Sequence, residues 1–279
     1  MKLEIFNDTK CIVGEGPVWN SKNNRLLLLD IRGQFITCVD YPTRKSTQIN
    51  LPQRIGCLAL CENGDIIAGL TDGVYFIDKI GNLTLAHQPV KIKGDRFNDG
   101  KIGPDGAFYL GTSAADGRGA FYRLKDGVLT ELFDNVACSN GLDWTADQKQ
   151  MYYIDTPRRM IEVFDFDVTN GTLSNRRKFI DIPKELGLPD GMTLDNNGNL
   201  WVALWDGASA IQIDKNTKQI INKIYLPCPR ASCCAFGGEN LDELFITTAS
   251  FGDEQNEMSG KTFKIKVNAK GTNVYKYKE

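Results

Sequence analysis

The sequence predicts an all-β fold, a six-bladed β-propeller that forms a single domain over residues 1–279. Three observations predict this fold: an internal repeat in six copies, short strands that alternate between apolar and polar residues, and a scarcity of helical periodicity. A repeat of about 40–45 residues is typical of a propeller blade, which is one four-stranded sheet. The segment nearest to a helix is the short run PKELGL at residues 183–188.

Each copy of the repeat has a small residue, a short apolar strand, a polar turn and a second alternating strand. Taking one residue per copy as a marker gives Gly16, Gly56, Gly100, Gly141, Gly191 and Cys233. The intervals between these markers are 40, 44, 41, 50 and 42 residues. Further short strands lie between the copies, for example FITCVDY at residues 35–41 and AFYRLKD at residues 120–126. Six such units use the whole chain, so no second domain is expected.

The two ends of the chain are predicted to meet in one blade. KLEIFN at residues 2–7 and TFKIKV at residues 262–267 are both suited to form strands. Pairing them closes the ring and removes two free strand edges, which would otherwise be sites for unwanted association.

Composition and charge disfavour several function classes. The formal net charge of -2 gives no reason to expect a nucleic acid or an anionic membrane as partner. No apolar run approaches the ~20 residues that cross a bilayer, and the charged, alternating N-terminal segment is not typical of a secretion signal. We expect a cytoplasmic monomer with neither a nucleic acid nor a membrane as partner.

The single histidine and the spacing of the cysteines narrow the chemistry further. A Ser-His-Asp site would depend on His87 alone, which lies in a polar run. The eight cysteines contain no CxxC pair, so a zinc site built from them is disfavoured. Buried or half-buried thiols are the expected state of these cysteines.

The residues that precede the six markers point to a shared site. They are Glu15, Ile55, Asp99, Asn140, Asp190 and Ser232. The first strand of every propeller blade lines the central channel, so equivalent positions converge near one end of it. Four of the six carry a carboxylate or a carboxamide, and two carboxylates ~5 Å apart repel by about 3 kcal/mol at an effective dielectric of ~20. A divalent cation relieves this repulsion, and Ca²⁺, Mg²⁺ and Mn²⁺ prefer such oxygen ligands.

Turn formation is the alternative explanation of these four residues. Asp and Asn before Gly are common in turns. Glu15 is a poor turn former, however, and four polar residues in the same register favour a shared metal over four separate turns.

Several motifs carry a resemblance to a known family over nearly the whole chain. GEGPVW at residues 14–19, RFNDGK at residues 96–101, SNGLDW at residues 139–144 and PDGMTLDNNGNLWVA at residues 189–203 occur in this order. They resemble the SMP-30/gluconolactonase/luciferin-regenerating-enzyme family. The resemblance implies a six-bladed propeller that holds one divalent cation in its channel, and many members of the family hydrolyse sugar lactones.

The resemblance also implies roles for individual residues. The metal ligands of the family correspond to Glu15, Asn140 and Asp190, and Asp99 would lie close by as a weak ligand or one step removed from the ion. Substrate contacts of the family correspond to Arg96, Asn98 and Asp116, and two of these residues have alternatives. Asp116 replaces a longer Glu and could instead be a solvated loop residue, and Arg96 could instead form an ion pair with Asp95 or Asp99. Trp205 could border the pocket or pack between blades.

The implied function is a metal-dependent hydrolase that opens a sugar (aldono-) lactone, such as gluconolactone or a pentonolactone. The cation would polarise the lactone carbonyl, with Asp190 as general base. Calcium is the first expectation for this cation, and zinc, magnesium, manganese and ferrous iron are compatible with the same ligands. The alternative is a calcium-binding regulatory protein without significant turnover, as proposed for animal members. Phosphotriester hydrolysis is expected at most as a side activity.

Overall fold

A computed structural model describes residues 2–87 and 91–278, and nearly all regular structure in these residues is β-sheet. The strands form six antiparallel sheets of four strands each. In chain order the strands are β1 (Glu4–Asn7); β2 (Gly14–Asn20), β3 (Arg25–Asp30), β4 (Phe35–Asp40) and β5 (Ser46–Asn50) of blade 1; β6 (Ile55–Leu60), β7 (Ile66–Leu70), β8 (Val74–Ile77) and β9 (Leu83–Leu85) of blade 2; β10 (Arg96–Ile102), β11 (Phe108–Ser113), β12 (Gly119–Lys125) and β13 (Val128–Val136) of blade 3; β14 (Ser139–Trp144), β15 (Gln150–Asp155), β16 (Met160–Asp167) and β17 (Thr172–Asp181) of blade 4; β18 (Leu188–Leu194), β19 (Leu200–Trp205), β20 (Ser209–Ile213) and β21 (Ile220–Tyr225) of blade 5; and β22 (Ala231–Gly237), β23 (Glu243–Thr248) and β24 (Thr262–Lys266) of blade 6.

Helical structure in the described part of the chain is limited to two short 3-10 helices, Thr156–Arg158 and Lys184–Leu186. The second lies within the PKELGL run. None of the helices in residues 2–87 and 91–278 is long and apolar enough to span a membrane.

The six sheets form a closed ring. The first strands of the blades, β2, β6, β10, β14, β18 and β22, each contact the first strand of the next blade, and β22 contacts β2. Buried side chains fill the spaces between neighbouring sheets, such as Leu29 of blade 1 beside Leu58 of blade 2. The predicted six-bladed propeller is therefore confirmed.

Blade 6 joins the two ends of the chain, as the sequence predicts. Strand β1 pairs antiparallel with β24, with Ile5 opposite Phe263. The Phe6 side chain is only 3% exposed, and its ring centroid lies 4.7 Å from that of Phe245 in an edge-on contact. The N-terminal strand thus contributes both backbone pairing and an aromatic anchor to the last blade.

Each first strand is interrupted by a β-bulge at the same level of the ring. The pairing with the second strand shifts between Glu15 and Val18, Ile55 and Cys57, Phe97 and Gly100, Asn140 and Leu142, Pro189 and Met192, and Ala231 and Cys233. A bulge leaves residues unpaired and redirects their side chains. The residues before the markers of the sequence repeat lie in these bulges or directly before them, so the fold redirects the chain at this position in every blade.

Three of the marker glycines, Gly56, Gly141 and Gly191, are required by the close approach of neighbouring first strands. A Cβ atom on Gly56 would lie 2.1 Å from the carbonyl oxygen of Phe97 in the next blade, and one on Gly141 would lie 2.7 Å from the carbonyl oxygen of Asp190. Real Cβ atoms do not approach backbone this closely, so only glycine fits. The repeat therefore records a packing constraint at the centre of the ring.

The end of the channel opposite the bulges is crossed by the chain that follows β24. The Tyr277 N–H donates to the carbonyl oxygen of Leu60 at the far end of β6 over 2.9 Å. Thr272, Val274 and Tyr275 line a small cavity there. The C-terminal segment consequently obstructs this end of the channel, which leaves the bulge end as the entrance.

Phe6→Ala is expected to lower the free energy of unfolding by about 3 kcal/mol, because it leaves a cavity against Phe245. Denaturant unfolding measures the change. The control is Ile5→Ala in the same strand, whose side chain is 39% exposed and whose loss is expected to cost less than about 1 kcal/mol. Equal effects of the two substitutions would contradict the role of Phe6 as the anchor.

Candidate active site at the channel mouth

A cavity of about 300 Å³ lies at the bulge end of the channel. Five of the six residues to which the sequence assigns a metal-binding or substrate-binding role line it: Glu15, Arg96, Asn98, Asn140 and Asp190. They come from the first strands of blades 1, 3, 4 and 5. The fold therefore brings together residues that are up to 175 positions apart in the sequence.

Three amide and hydroxyl side chains form a hydrogen-bonded chain across blades 3, 4 and 5. The Asn98 Nδ2 group donates to the Asn140 Oδ1 atom at 3.1 Å and to the Ser139 carbonyl oxygen at 2.6 Å. The Asn140 Nδ2 group donates to the Thr156 Oγ1 atom at 2.7 Å, and the Thr156 hydroxyl donates to the Pro189 carbonyl oxygen at 2.8 Å. This chain fixes the amide orientation of Asn140 and leaves its Oδ1 atom one further lone pair to offer a ligand.

The Arg96 side chain is held by polar groups of its own strand. Its Nη1 group donates to the Asn98 Oδ1 atom at 2.6 Å and to the Phe97 carbonyl oxygen at 2.8 Å. It forms no ion pair with Asp95 or Asp99 at hydrogen-bonding distance. Burial lowers the pKa of the Arg96 guanidinium, and the positive charge of Arg54 lowers it further.

The carboxyl groups of the site are buried without a basic partner in contact. Glu15 is 7% exposed and Asp190 is 5% exposed. Burial and the charge of Asp99 raise the pKa of Glu15 to about 8, although the Gly16 N–H donates to its Oε2 atom at 3.0 Å. Burial and the charges of Glu15 and Asp99 raise the pKa of Asp190 well above its usual range.

The oxygen donors of Glu15, Asn140 and Asp190 fit a divalent cation. Two buried carboxyl groups whose negative charge is disfavoured, beside an oriented amide oxygen, are hard ligands of mixed charge. A bound cation would replace repulsion between the carboxylates by attraction. Within residues 2–87 and 91–278, no three His, Cys, Asp or Glu side chains are arranged to hold a metal together. The predicted ligands include only two residues of these types, Glu15 and Asp190, because the third ligand is the amide of Asn140.

Asp99 does not line the main cavity. Its side chain borders a second cavity of about 60 Å³ further along the first strands, together with Lys101 and Cys233. Burial raises the pKa of Asp99 to about 6, while the charge of Lys101 opposes this effect. Of the four polar residues in equivalent register, three thus face the mouth, and the fourth acts on them through its charge.

Asp116 lies outside the cavity, on the turn between β11 and β12. Its side chain is 51% exposed and forms an ion pair with Arg118. This position agrees with the alternative of a solvated loop residue. The structure does not bring Asp116 together with the other predicted site residues.

Sequence reasoning missed several residues that line the cavity: Arg32, Arg54, Cys138, Thr156 and Phe251. The sequence contained a signal for Arg54 alone. This residue directly precedes Ile55, which occupies the position in blade 2 that Glu15 occupies in blade 1. Trp205 lines the cavity, so of its two alternatives the one that borders the pocket is the one observed. Burial raises the pKa of Cys138 to about 12, so this residue is a neutral thiol.

His87 does not belong to the site. It is buried, and its Nε2 atom accepts a hydrogen bond from the Val74 N–H at 3.2 Å. Its contact is structural, within blade 2.

Comparison with known proteins decides the family. The profile of the SMP-30/Gluconolactonase/LRE-like region matches residues 13–250. The chain belongs to this family. It is 36% identical to regucalcin from Danio rerio over 290 residues, which cover 99% of this chain and 98% of that protein. It is 38% identical over 256 residues, 90% of this chain and 88% of the relative, to a Bacillus subtilis protein provisionally named a sugar lactone lactonase, YvrE.

Solved structures of the family have the same fold. A luciferin-regenerating enzyme superposes with a TM-score of 0.92 at 28% identity, covering 100% of this chain and 99% of that one. A calcium-binding protein, regucalcin, from Agrobacterium tumefaciens gives a TM-score of 0.91 at 24% identity, with 99% and 97% covered. A gluconolactonase from Xanthomonas campestris gives 0.78 at 22% identity, with 95% and 89% covered. The family thus includes sugar lactonases and regucalcins.

The free energy of unfolding of the chelated protein is expected to fall as the pH rises from about 4.5 to about 8. In this range folded Glu15, whose pKa is raised from 4.5 to about 8, holds a proton that the unfolded chain has lost. Glu15→Gln removes this linkage and is expected to stabilise the chelated protein at pH 8 by about 1 kcal/mol or more, which raises Tm by about 2–4 °C.

Thermal unfolding with excess chelator at pH 5 and pH 8 measures this effect. Glu185→Gln, at an exposed position of the second 3-10 helix, is the matched control and is expected to change Tm equally at both pH values. A Glu15→Gln effect that does not grow with pH would contradict the raised pKa.

Proposed function

We propose that this protein is a metal-dependent lactonase that hydrolyses a sugar lactone such as gluconolactone or a pentonolactone. The observation that supports this function is the cavity in which three oxygen donors, Glu15, Asn140 and Asp190, lie beside the guanidinium of Arg96. Membership of a family that includes sugar lactonases supports the same conclusion.

Glu15, Asn140 and Asp190 are the residues that would hold one divalent cation. Calcium is the first candidate, in line with the description of the Agrobacterium tumefaciens relative as a calcium-binding protein, and magnesium, manganese, zinc and ferrous iron suit the same ligands. When bound, such a cation polarises a carbonyl group and stabilises negative charge that develops on its oxygen.

Asp190 is the proposed general base. Its carboxylate has two oxygens and about four lone pairs, so it can bind a cation and still accept a proton from the attacking water. It is 5% exposed and lies on the bulge of β18, where backbone pairing with β19 is interrupted. A rigid, buried position of this kind holds a base in one orientation relative to a bound lactone.

Arg96 and Asn98 are proposed to orient the lactone. The Nη1 group of Arg96 makes both of its hydrogen bonds within the protein, so its other N–H groups remain to donate to substrate oxygens. The Nδ2 group of Asn98 is occupied by Ser139 and Asn140. Asn98 therefore positions Arg96 and Asn140, and its Oδ1 atom can accept one hydrogen bond from a sugar hydroxyl.

A calcium-binding regulatory protein without significant turnover is the second candidate function. The similarity to regucalcins over nearly the whole chain favours it. Such a protein would need the same three metal ligands. It would not need a general base or a cavity of about 300 Å³ with hydrogen-bond donors for a sugar.

Asp190→Asn is expected to lower kcat/KM for lactone opening by about 100-fold or more, because it removes the proton acceptor. A pH-indicator assay with gluconolactone, galactonolactone, xylonolactone and arabinonolactone measures the rate above spontaneous opening. Circular dichroism and thermal unfolding check that the variant is folded. Full activity of this variant would remove Asp190 as the base.

Chelation separates the two candidate functions in the same assay. Loss of lactone opening on treatment with chelator, and its return on adding a divalent cation, supports the lactonase. If the folded protein with calcium opens none of these lactones above background but binds calcium in calorimetry, the regulatory protein is the better assignment.

Asp116→Asn is expected to change kcat/KM for any lactone by less than about twofold. The reason is that this side chain is half exposed, pairs with Arg118 and lies outside the cavity. Steady-state kinetics with the substrate preferred in the panel measures the effect. A rise in KM of tenfold or more would restore Asp116 as a substrate contact.

A further inference from the structure

Three arginine side chains line the cavity at the channel mouth: Arg32, Arg54 and Arg96. They come from blades 1, 2 and 3, so they lie on neighbouring blades of the ring. Arg32 follows β3, and its guanidinium carbon lies 3.8 Å from the ring centroid of Phe251, which also lines the cavity. Arg54 directly precedes β6. Neither Arg32 nor Arg54 has a role in the metal site or in proton transfer.

These arginines differ from most others in the protein because they lack a carboxylate partner. Of the twelve arginines in the sequence, the following eight form ion pairs: Arg25, Arg44, Arg118, Arg123, Arg158, Arg176, Arg177 and Arg230. Within the described residues, no ion pair includes Arg32, Arg54 or Arg96. Three of the four arginines without an ion pair thus line one cavity.

The charges of the cavity are unbalanced. Two carboxyl groups line it, those of Glu15 and Asp190, whereas three guanidinium groups do. Any cation held by the two carboxyl groups would use their negative charge. The Arg54 charge also lowers the pKa of Arg96, as expected for like charges that lie close together. The protein itself therefore supplies no counter-charge to Arg32 and Arg54.

We propose that the substrate is an anionic lactone, with a carboxylate or phosphate group remote from the ring carbonyl that binds Arg32 and Arg54. This inference rests on the proposed lactonase function and names its substrate class. A guanidinium presents paired N–H donors that match the oxygens of a carboxylate or a phosphate. The contact with Phe251 restrains the Arg32 guanidinium before the ligand arrives, which lowers the entropy lost on binding.

The rest of the cavity suits the neutral part of such a lactone. Trp205 and Phe251 provide aromatic faces in blade 5 and in the loop after β23, on which the C–H groups of a sugar ring can pack. Arg96 lies beside Asn98 and Asn140, on the side of the oxygen donors. The lactone of an aldaric acid and the lactone of a phosphorylated aldonic acid both combine a reactive carbonyl with a distant anion.

The experiment compares kcat/KM for glucarolactone, for 6-phosphogluconolactone and for uncharged gluconolactone. We expect the native protein to prefer one of the two anionic lactones by at least about tenfold. Arg54→Met and Arg32→Met should each lower the ratio of anionic to neutral kcat/KM by about tenfold, the effect of losing one charge-assisted hydrogen bond. The anionic lactone that is preferred identifies the anion as carboxylate or phosphate.

Arg177→Met is the matched control. Arg177 lies on β17, the outermost strand of blade 4, and pairs with Asp165. This substitution removes the same charge from the protein without touching the cavity, so the ratio should stay within about twofold of the native value. A fall as large as that of Arg54→Met would assign the effect to overall charge and overturn the proposal.

Binding of the hydrolysis products separates this inference from the proposed function. Calorimetry with glucarate and 6-phosphogluconate reports on the anion site without any turnover. If no lactone is opened but one of these anions binds and Arg54→Met weakens binding about tenfold, the lactonase fails and the anion site stands. If gluconolactone is opened as fast as both anionic lactones and Arg54→Met leaves the ratio unchanged, the anionic substrate fails and the lactonase stands.

Discussion

The close approach of the six first strands at their bulges is the constraint on which the rest of the structure depends. At Gly56 and Gly141 there is no room for a Cβ atom between one blade and the next. The bulges interrupt backbone pairing at this same level, so the residues beside the glycines are redirected. One steric requirement therefore both fixes the ring and gathers Glu15, Asn140 and Asp190 around one space.

This gathering leaves the channel mouth with polar groups that the protein does not satisfy. Carboxyl groups of blades 1 and 5 are buried without a basic side chain in contact, whereas arginines of blades 1 to 3 lack a carboxylate. Elsewhere the same residue types pair with each other, as Arg176 does with Glu162 at 2.6 Å. The buried carboxyl groups cost stability in the protein without a ligand, and such local costs are expected where a ligand supplies the missing interactions.

The sequence was sufficient for the fold because the repeat reflects packing at the centre of the ring, where only glycine fits at positions such as 56 and 141. The register of the repeat was also sufficient to predict that Glu15, Asn140 and Asp190 lie around one cavity. It was insufficient for Asp99, because the bulge of β10 leaves both Asn98 and Asp99 unpaired, and Asn98 is the one of the two that lines the mouth. Arg32 and Asp116 lie on loops after strands, and no repeat pattern specifies where such side chains point.

The pairing of β1 with β24 has a consequence for the way the protein is made. Phe6 is synthesised well before its aromatic partner Phe245, which follows it by more than 230 residues in the sequence. Until β22, β23 and β24 have been made, β1 has no sheet to join, and the Phe6 side chain lacks the contact that buries it. Contacts between residues so distant in sequence form slowly, so the ring can close only after blade 6 has been made, and a chaperone that shields β1 would act in that interval.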